Sequence, residues 1–349
     1  LRPQPLQWSS PWLVEQMAMQ GVSGVVSYQP RQAAKAWAGA LRETAEAVIA
    51  ALWPVVLADF SAKHGTPPGV GAVVLGMGSL GAGRLNASSD LDLIMIYDAG
   101  AVETSEGPRP LAARAYYARL TQAMVTALSA QMAEGRLYEV DVRLRPSGRQ
   151  GPVATSLTSF CTYQETEAWT WEHLALTRAR VLAGQPSLAD QVETFRRDII
   201  ARKGQGATVL QDVADMRSRL SDAKPGAGGW DAKFGPGRLM DIELLAQTMA
   251  LQAASPARQV ERQIAAGGKA GKLSHSDQTA LLDAYRVCWR VQAASKLLSD
   301  KPLDPSALGE GGRAFLLREA GEADTQALTT RLATAAGLAE TVISAHLKG

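Results

Sequence analysis

Residues 71–98 constrain this chain more than any other stretch. They read Gly-Ala-Val-Val-Leu-Gly-Met-Gly-Ser-Leu-Gly-Ala-Gly-Arg-Leu-Asn-Ala-Ser-Ser-Asp-Leu-Asp-Leu-Ile-Met-Ile-Tyr-Asp. Ala72, Val73, Val74 and Leu75 form a short apolar run ended by glycine, which predicts a buried strand. Gly76, Gly78, Gly81 and Gly83 let the backbone approach a ligand closely, and the amides of Met77, Ser79 and Leu80 are donors suited to a phosphate. Asp90 opens a second predicted strand. Residues two apart in an extended chain share a face, so Asp90 and Asp92 point the same way, roughly 7 Å apart along the strand. Leu91 and Leu93 point to the other side, into the core. Two carboxylates side by side next to a glycine loop make a divalent-metal site beside a polyphosphate. An isolated Asp-x-Asp is more often a polar strand end with a turn cap. Here the preceding glycine loop and the apolar continuation from Leu93 to Tyr97 favour the site, because carboxylates this close to a buried strand need a counter-charge.

Such a site needs a third carboxylate, and residues 137–146 offer one. Tyr138, Val140, Val142 and Leu144 alternate with Glu139, Asp141, Arg143 and Arg145, the pattern of a strand with one apolar and one charged face. An edge strand defended by charge gives the same pattern. Interleaved acid and base suits a surface that holds a metal and a phosphate together, and Asp141 is expected to come back beside Asp90 and Asp92.

Three ordered motifs now carry a resemblance: the glycine loop with Ser89-Asp90-Leu91-Asp92, then Tyr138-Glu139-Val140-Asp141 with Arg143-Leu144-Arg145-Pro146, then Ala168-Trp169-Thr170-Trp171-Glu172-His173 with Arg178 and Arg180. Together they resemble the glutamine synthetase adenylyltransferases, bifunctional members of the nucleotidyltransferase superfamily related to DNA polymerase β. The resemblance runs from about Ala34 onward and is densest over residues 71–180. That family carries two homologous catalytic domains, one attaching AMP to glutamine synthetase and one removing it. Glu139 before Val140-Asp141, the run from Glu167 to Glu172, and Asp241-Ile242-Glu243 resemble the C-terminal, attaching domain more than the removing one.

The resemblance implies catalytic and metal-holding roles for Asp90, Asp92 and Asp141 with Mg²⁺ or Mn²⁺. It implies nucleotide contacts at Gly78, Ser79, Ser89, Arg143 and Arg145. ATP is then the substrate, a tyrosine hydroxyl of glutamine synthetase the acceptor, and pyrophosphate the product, with nitrogen assimilation as the process regulated. The PII signal protein is an implied partner of the full-length enzyme. Phosphorolytic removal of AMP and an inert nucleotide-binding regulatory module stay open as alternatives. One departure stands out: the family usually has lysine where Ser79 stands, so phosphate binding rests more on amides and arginines.

The rest of the chain frames this site. Residues 1–30 read as a linker or the tail of an upstream domain, with a short helix around Val14–Met19, and the chain reads as a fragment of something longer. Trp37, Leu41, Ala45, Val48, Ile49, Leu52 and Val56 recur at helical spacing, with Pro54 expected to kink or split that helix. Residues 99–110 are a loop, and Leu111 to Met132 a helix crossing between strands. The fold class is therefore α+β: a small mixed-sheet nucleotidyltransferase domain over residues 31–152, flanked by helices, then an all-α helical bundle over residues 153–349.

Within the bundle, Trp169 and Trp171 are expected in the core, Glu172 on a solvated helix surface, and His173 in a structural hydrogen bond. His64 is expected solvated in its loop. Lys233 and Gly237 resemble a family motif facing the nucleotide, while Arg238 and Leu244 depart from it. Asp241 and Glu243 stand two apart on a helix and do not share a face. Residues 255–275 read as a charged connection, and stripes such as Leu281–Cys288–Val291 and Leu328–Leu332–Leu338 read as core or partner-binding.

Net charge is +2, without the basic bias that grips nucleic acid, and no basic stripe interleaves with aromatics. Cys161 and Cys288 are the two cysteines, too few for a disulfide framework, which fits a reducing cytoplasm. No signal peptide or apolar run of membrane length stands out, so no membrane partner is expected.

Overall fold

The computed structural model describes residues 33–132, 135–136, 138–299, 303–304 and 306–347. The expected tail at residues 1–30 lies outside them, as does the side chain of Trp37. Helix α1 (Ala33–His64) leads to strand β1 (Gly71–Gly76), the short helix α2 (Gly78–Ala82) and strand β2 (Leu91–Asp98). Helix α3 (Ala113–Leu128) follows, then β3 (Gln131–Met132), β4 (Gly135–Arg136), β5 (Val140–Asp141) and β6 (Ala154–Ser156). Next come α4 (Leu157–Thr166), α5 (Thr170–Leu176), β7 (Arg180–Gly184) and α6 (Pro186–Lys203).

The sheet runs β5-β2-β1-β7, with β6 also on β2. β1 is antiparallel to β2 (Leu75 opposite Ile94) and to β7. β2 is parallel to β5 at its start and to β6 at its end. The expected small mixed sheet is therefore present.

Both faces of that sheet are covered. Val74, Leu91, Leu93, Met95 and Tyr97 pack with Ile49, Trp53 and Phe60 of α1 and with Tyr116, Tyr117 and Leu120 of α3. Val73, Leu75, Ile94 and Ile96 pack on Phe160 of α4 and on Leu188, Val192 and Ile199 of α6. A strand buried on both sides reads as an unbroken apolar run, which explains Leu93 to Tyr97. Asp92 lies on the same face as Ile94 and Ile96, one step beyond the end of that core.

Several expectations need correction. The strand read through residues 137–144 is only Val140–Asp141. The chain turns at once afterwards, with Ser147 and Gly148 in left-handed conformation, and Leu144 packs on the opposite core from Val140 and Val142. The helix read to Met132 ends at Leu128, and Gln131–Met132 pairs with Gly135–Arg136 as a hairpin. Residues 180–184 belong to a strand, not a helix, so the sheet draws β6 and β7 from beyond residue 152.

α1 passes through Pro54 without a break. Its segment Gly39–His64, with hydropathy 1.6, is long and apolar enough to cross a membrane by length and composition, contrary to expectation. Ala45, Ile49, Trp53 and Phe60 are buried against the sheet layer, and 22% of the apolar window is buried. His64, expected solvated, bonds the Arg109 carbonyl through Nδ1 at 2.7 Å.

The remaining helices are α7 (Val209–Ala223), α8 (Leu239–Gln252), α9 (Val260–Lys269), α10 (His275–Leu298), α11 (Glu310–Ala320) and α12 (Thr325–His346). They enclose a separate core that includes Leu245, Ile264, Leu281, Cys288, Leu332 and Ile343. α9 occupies the stretch expected to be a connection. Leu338, in a stripe read as core or partner-binding, is 53% exposed. Both cysteines are free.

Candidate active site

The site is built where β1 ends and β2 begins. The amide of Met77 donates to the Asp92 carbonyl at 2.9 Å, so it is spent on holding the glycine turn to β2 and does not face a ligand. Gly78 has φ +52, and a Cβ there would come 2.4 Å from Oδ2 of Asp92. Only glycine lets the turn close over that carboxylate. Arg180 of β7 donates to the Leu80 carbonyl at 3.2 Å and to Glu46 of α1 at 2.6 Å, fixing the turn from its far side.

Asp90 is exposed just before β2 and Asp92 is half-buried in it. The amide of Leu91 between them donates to the Glu139 carbonyl at 2.8 Å, and Asp92 is register partner to Asp141 on β5. Partners across a parallel pair put their side chains on the same face of the sheet. The three acidic residues therefore adjoin, as the spacing predicts. Burial, joined by the charges of Asp141 and Asp90, pushes Asp92 up to about 6, against the pull of Arg143 and Lys233.

Asp141 differs. Its Oδ1 accepts from the Arg143 amide at 2.8 Å, and its Oδ2 from the Arg143 Nε at 2.7 Å and also from Nη2. Those bonds outweigh burial and hold Asp141 below the usual carboxylate range. Among the described residues no three His, Cys, Asp or Glu groups stand placed to hold a metal. The donor chemistry nonetheless fits Mg²⁺ or Mn²⁺: all-oxygen, acidic and partly desolvated, with Asp92 short of a counter-charge. Asp90 and Asp92 carry oxygens of that chemistry, while both oxygens of Asp141 are engaged by Arg143.

Asp90 and Asp92 open onto a cleft of about 720 Å³ between the sheet and the helical bundle, which Ser79 and Ser89 also line. The Ser89 hydroxyl accepts from the Asn86 amide at 3.0 Å, closing the turn before β2. Arg145 is placed elsewhere. It is 8% exposed and donates to the carbonyls of Val142 at 2.6 Å and Gly151 at 3.2 Å, fastening the turn after β5.

Cations also line the cleft: Arg84, Lys224, Lys233 and Lys296. In the sequence Lys233 is marked only by a motif, and no local pattern marks the other three. Lys233 is set by Asp231, whose Oδ1 accepts from the amides of Lys233 and Phe234 at 2.9 Å each and whose Oδ2 accepts from Ala227 at 3.0 Å. The spacing Asp231–Lys233 is an Asx-type turn signal that reveals this in retrospect. Arg84 pairs with Glu261 of α9 and lies 5.1 Å from the Trp289 ring centre on α10, joining the sheet domain to the bundle.

Asp241 and Glu243 diverge as expected. Asp241 is buried and paired to Arg217 at 2.6 Å. Glu243 pairs with buried Arg178 at 3.1 Å and lines the cleft.

With this geometry in view, comparison with known proteins is decisive. Residues 26–195 match the family described as glutamate-ammonia ligase adenylyltransferase. Over those residues the chain belongs to that family. Among curated relatives, the bifunctional glutamine synthetase adenylyltransferase/adenylyl-removing enzyme of Rhizobium meliloti (strain 1021) is 48% identical over 222 residues, 63% of this chain and 22% of the relative. The enzyme of the same name from Xanthobacter autotrophicus is 39% identical over 311 residues, 87% of this chain and 31% of the relative. That from Rhodopseudomonas palustris (strain BisB5) is 36% identical over 317 residues, 89% of this chain and 31% of the relative. The chain thus spans less than a third of the length of these relatives.

The adenylyltransferase match covers the sheet, the glycine turn, all three acidic residues and α4 to most of α6. The third motif also falls inside it, but its tryptophans are not core: Trp169 is 70% and Trp171 44% exposed. Glu172 is buried rather than solvated. It accepts from the Trp169 amide at 3.0 Å and the Tyr163 hydroxyl at 2.9 Å. His173 bonds the Gln164 carbonyl through Nε2 at 2.9 Å, the structural role expected of it.

Proposed function

We propose that this chain transfers AMP from ATP to a tyrosine hydroxyl of glutamine synthetase. The observation that carries the proposal is the pairing of Asp90 and Asp92, beside the Gly78 turn, with a cation-lined cleft. That is the charge layout a metal-bound triphosphate needs. Asp90, Asp92 and Asp141 would hold the Mg²⁺ or Mn²⁺, which when bound neutralises phosphate charge and acidifies the incoming hydroxyl. Lys233 and Lys224 attract the polyphosphate, and Ser79 offers a hydroxyl where the family usually has lysine. Arg143 neutralises phosphate charge beside Asp141, while Arg145 serves by holding the turn after β5. Asp141 is the group assigned to accept the hydroxyl proton.

The attaching direction is favoured by Glu139 before Val140-Asp141 and by Asp241-Ile242-Glu243, which resemble that half of the family. Removal of AMP by phosphate is the second reading, because the relatives carry both activities in their names. Incubation with ATP and unmodified glutamine synthetase separates them. Tyrosine-linked AMP supports attachment; no attachment, with release of AMP from the modified enzyme, supports removal. Asp92→Asn tests the chemistry itself, since undiminished adenylylation by that variant overturns the assignment. The PII signal protein is proposed as a partner of the longer enzyme on family resemblance.

A further inference from the structure

Arg143 is the direct partner of Asp141. It takes both oxygens of Asp141, one through its amide at 2.8 Å and the other through its guanidinium, with Nε at 2.7 Å. Its side chain is 57% exposed against 15% for Asp141, so the carboxylate is enclosed and the cation is free to leave. The backbone beneath is fixed. Arg145, nearly buried, donates to the Val142 and Gly151 carbonyls, and Ser147 and Gly148 are both left-handed. The Arg143 side chain is the exposed half of the pair. Its charge also acts on Asp92 and Asp90, and on Asp92 it acts together with Lys233.

We propose that Arg143 is a positioning residue that stands in for the divalent cation, latching Asp141 until metal and nucleotide arrive together. With the latch closed, both oxygens of Asp141 are engaged by Arg143. An incoming phosphate is a better partner for a guanidinium than an already half-satisfied carboxylate, because it is bidentate and doubly charged. Binding of phosphate draws Arg143 off, and Asp141 then completes the metal site. Metal and nucleotide binding are thereby coupled, each favouring the other. This inference rests on the reading of Asp90, Asp92 and Asp141 as a metal site.

The test is Mn²⁺ titration of the chain without nucleotide, followed by the loss of the free-ion paramagnetic resonance signal, for wild type, Arg143→Gln and Arg143→Lys. Opening the latch in Arg143→Gln should tighten Mn²⁺ binding about five-fold, the order of effect for one surface ion pair. Lysine keeps the charge but loses the two-pronged geometry, so Arg143→Lys should also bind Mn²⁺ more tightly than wild type, by a smaller factor. Arg143→Lys equal to wild type means that charge repulsion alone acts, which overturns the latch. Arg143→Gln equal to or weaker than wild type overturns it as well. If no form binds Mn²⁺, or Asp92→Asn binds as well as wild type, the metal site itself is wrong and the latch falls with it. Far-ultraviolet circular dichroism of each variant confirms that binding is read on folded protein.

Discussion

Asp92 and Asp141 are register partners across the parallel pairing of β2 and β5, yet one is pushed up to about 6 while the other is held below the carboxylate range. Burial raises Asp92, whereas Arg143 bonds Asp141 directly and holds it down, reaching Asp92 only through space. Unequal carboxylates in one cluster are a mark of functional sites.

The metal-free protein should carry a measurable penalty from Asp92. Its pKa rises from 3.8 in the unfolded chain to about 6 in the fold, so the folded state binds a proton that the unfolded state gives up more readily. Stability is therefore lost as pH rises through about 6, by about 3 kcal/mol once the group is fully ionised. Asp92→Asn removes that term. Urea unfolding in chelator should find the variant more stable than wild type at pH 8 and equal to it near pH 4. A variant less stable at pH 8 refutes the electrostatic account.

Gly78→Ala should fail locally without unfolding the chain. Its Cβ meets Oδ2 of Asp92 at 2.4 Å in a backbone conformation of φ +52. Strain and displacement together should cost about 1–3 kcal/mol. Thermal unfolding reads that cost, and Mn²⁺ titration should show weakened binding because Asp92 is the atom pushed aside.

The acid limit of the fold should be set partly by Glu193 on α6. Burial opposes its ionisation, but Arg196, Arg197 and Arg258 overcome it and hold its pKa at about 2 against 4.5 unfolded. That stability is complete above 4.5 and is lost as pH falls through about 2. Arg196 is 2% exposed and also donates to the Leu176, Thr177 and Pro256 carbonyls. Arg196→Met should destabilise by about 3–5 kcal/mol at neutral pH, with much less difference from wild type near pH 2, as chemical denaturation at both values will show.

The sequence carried the sheet's centre and the acidic cluster because both are local. Apolar runs, a glycine turn and a period of two need only neighbours in the chain. What it hid was set by distant contacts. Val140–Asp141 is short because Arg145 and Ser147 turn the chain away, and alternation continued in the sequence after the strand had ended. Arg180–Gly184 is a strand because β1 offers it an open edge, although its residues also suit a helix. Arg145, on the charged face by spacing, spends its guanidinium on backbone. Trp169 and Trp171 look like core residues by size alone, whereas the buried group of that motif is Glu172. Arg84, Lys224 and Lys296 meet at the cleft from three separate elements, a convergence that no single stretch encodes.

The account depends on three acidic side chains closing on one cation beside a nucleotide. Crystals soaked with Mn²⁺ and a non-hydrolysable ATP analogue, with the metal located by its anomalous signal, test this directly. The expected result is a peak at about 2 Å from oxygens of Asp90, Asp92 and Asp141, with Arg143 turned onto phosphate. A peak elsewhere, or Asp141 still bound to Arg143 while Mn²⁺ and nucleotide occupy the cleft, contradicts it.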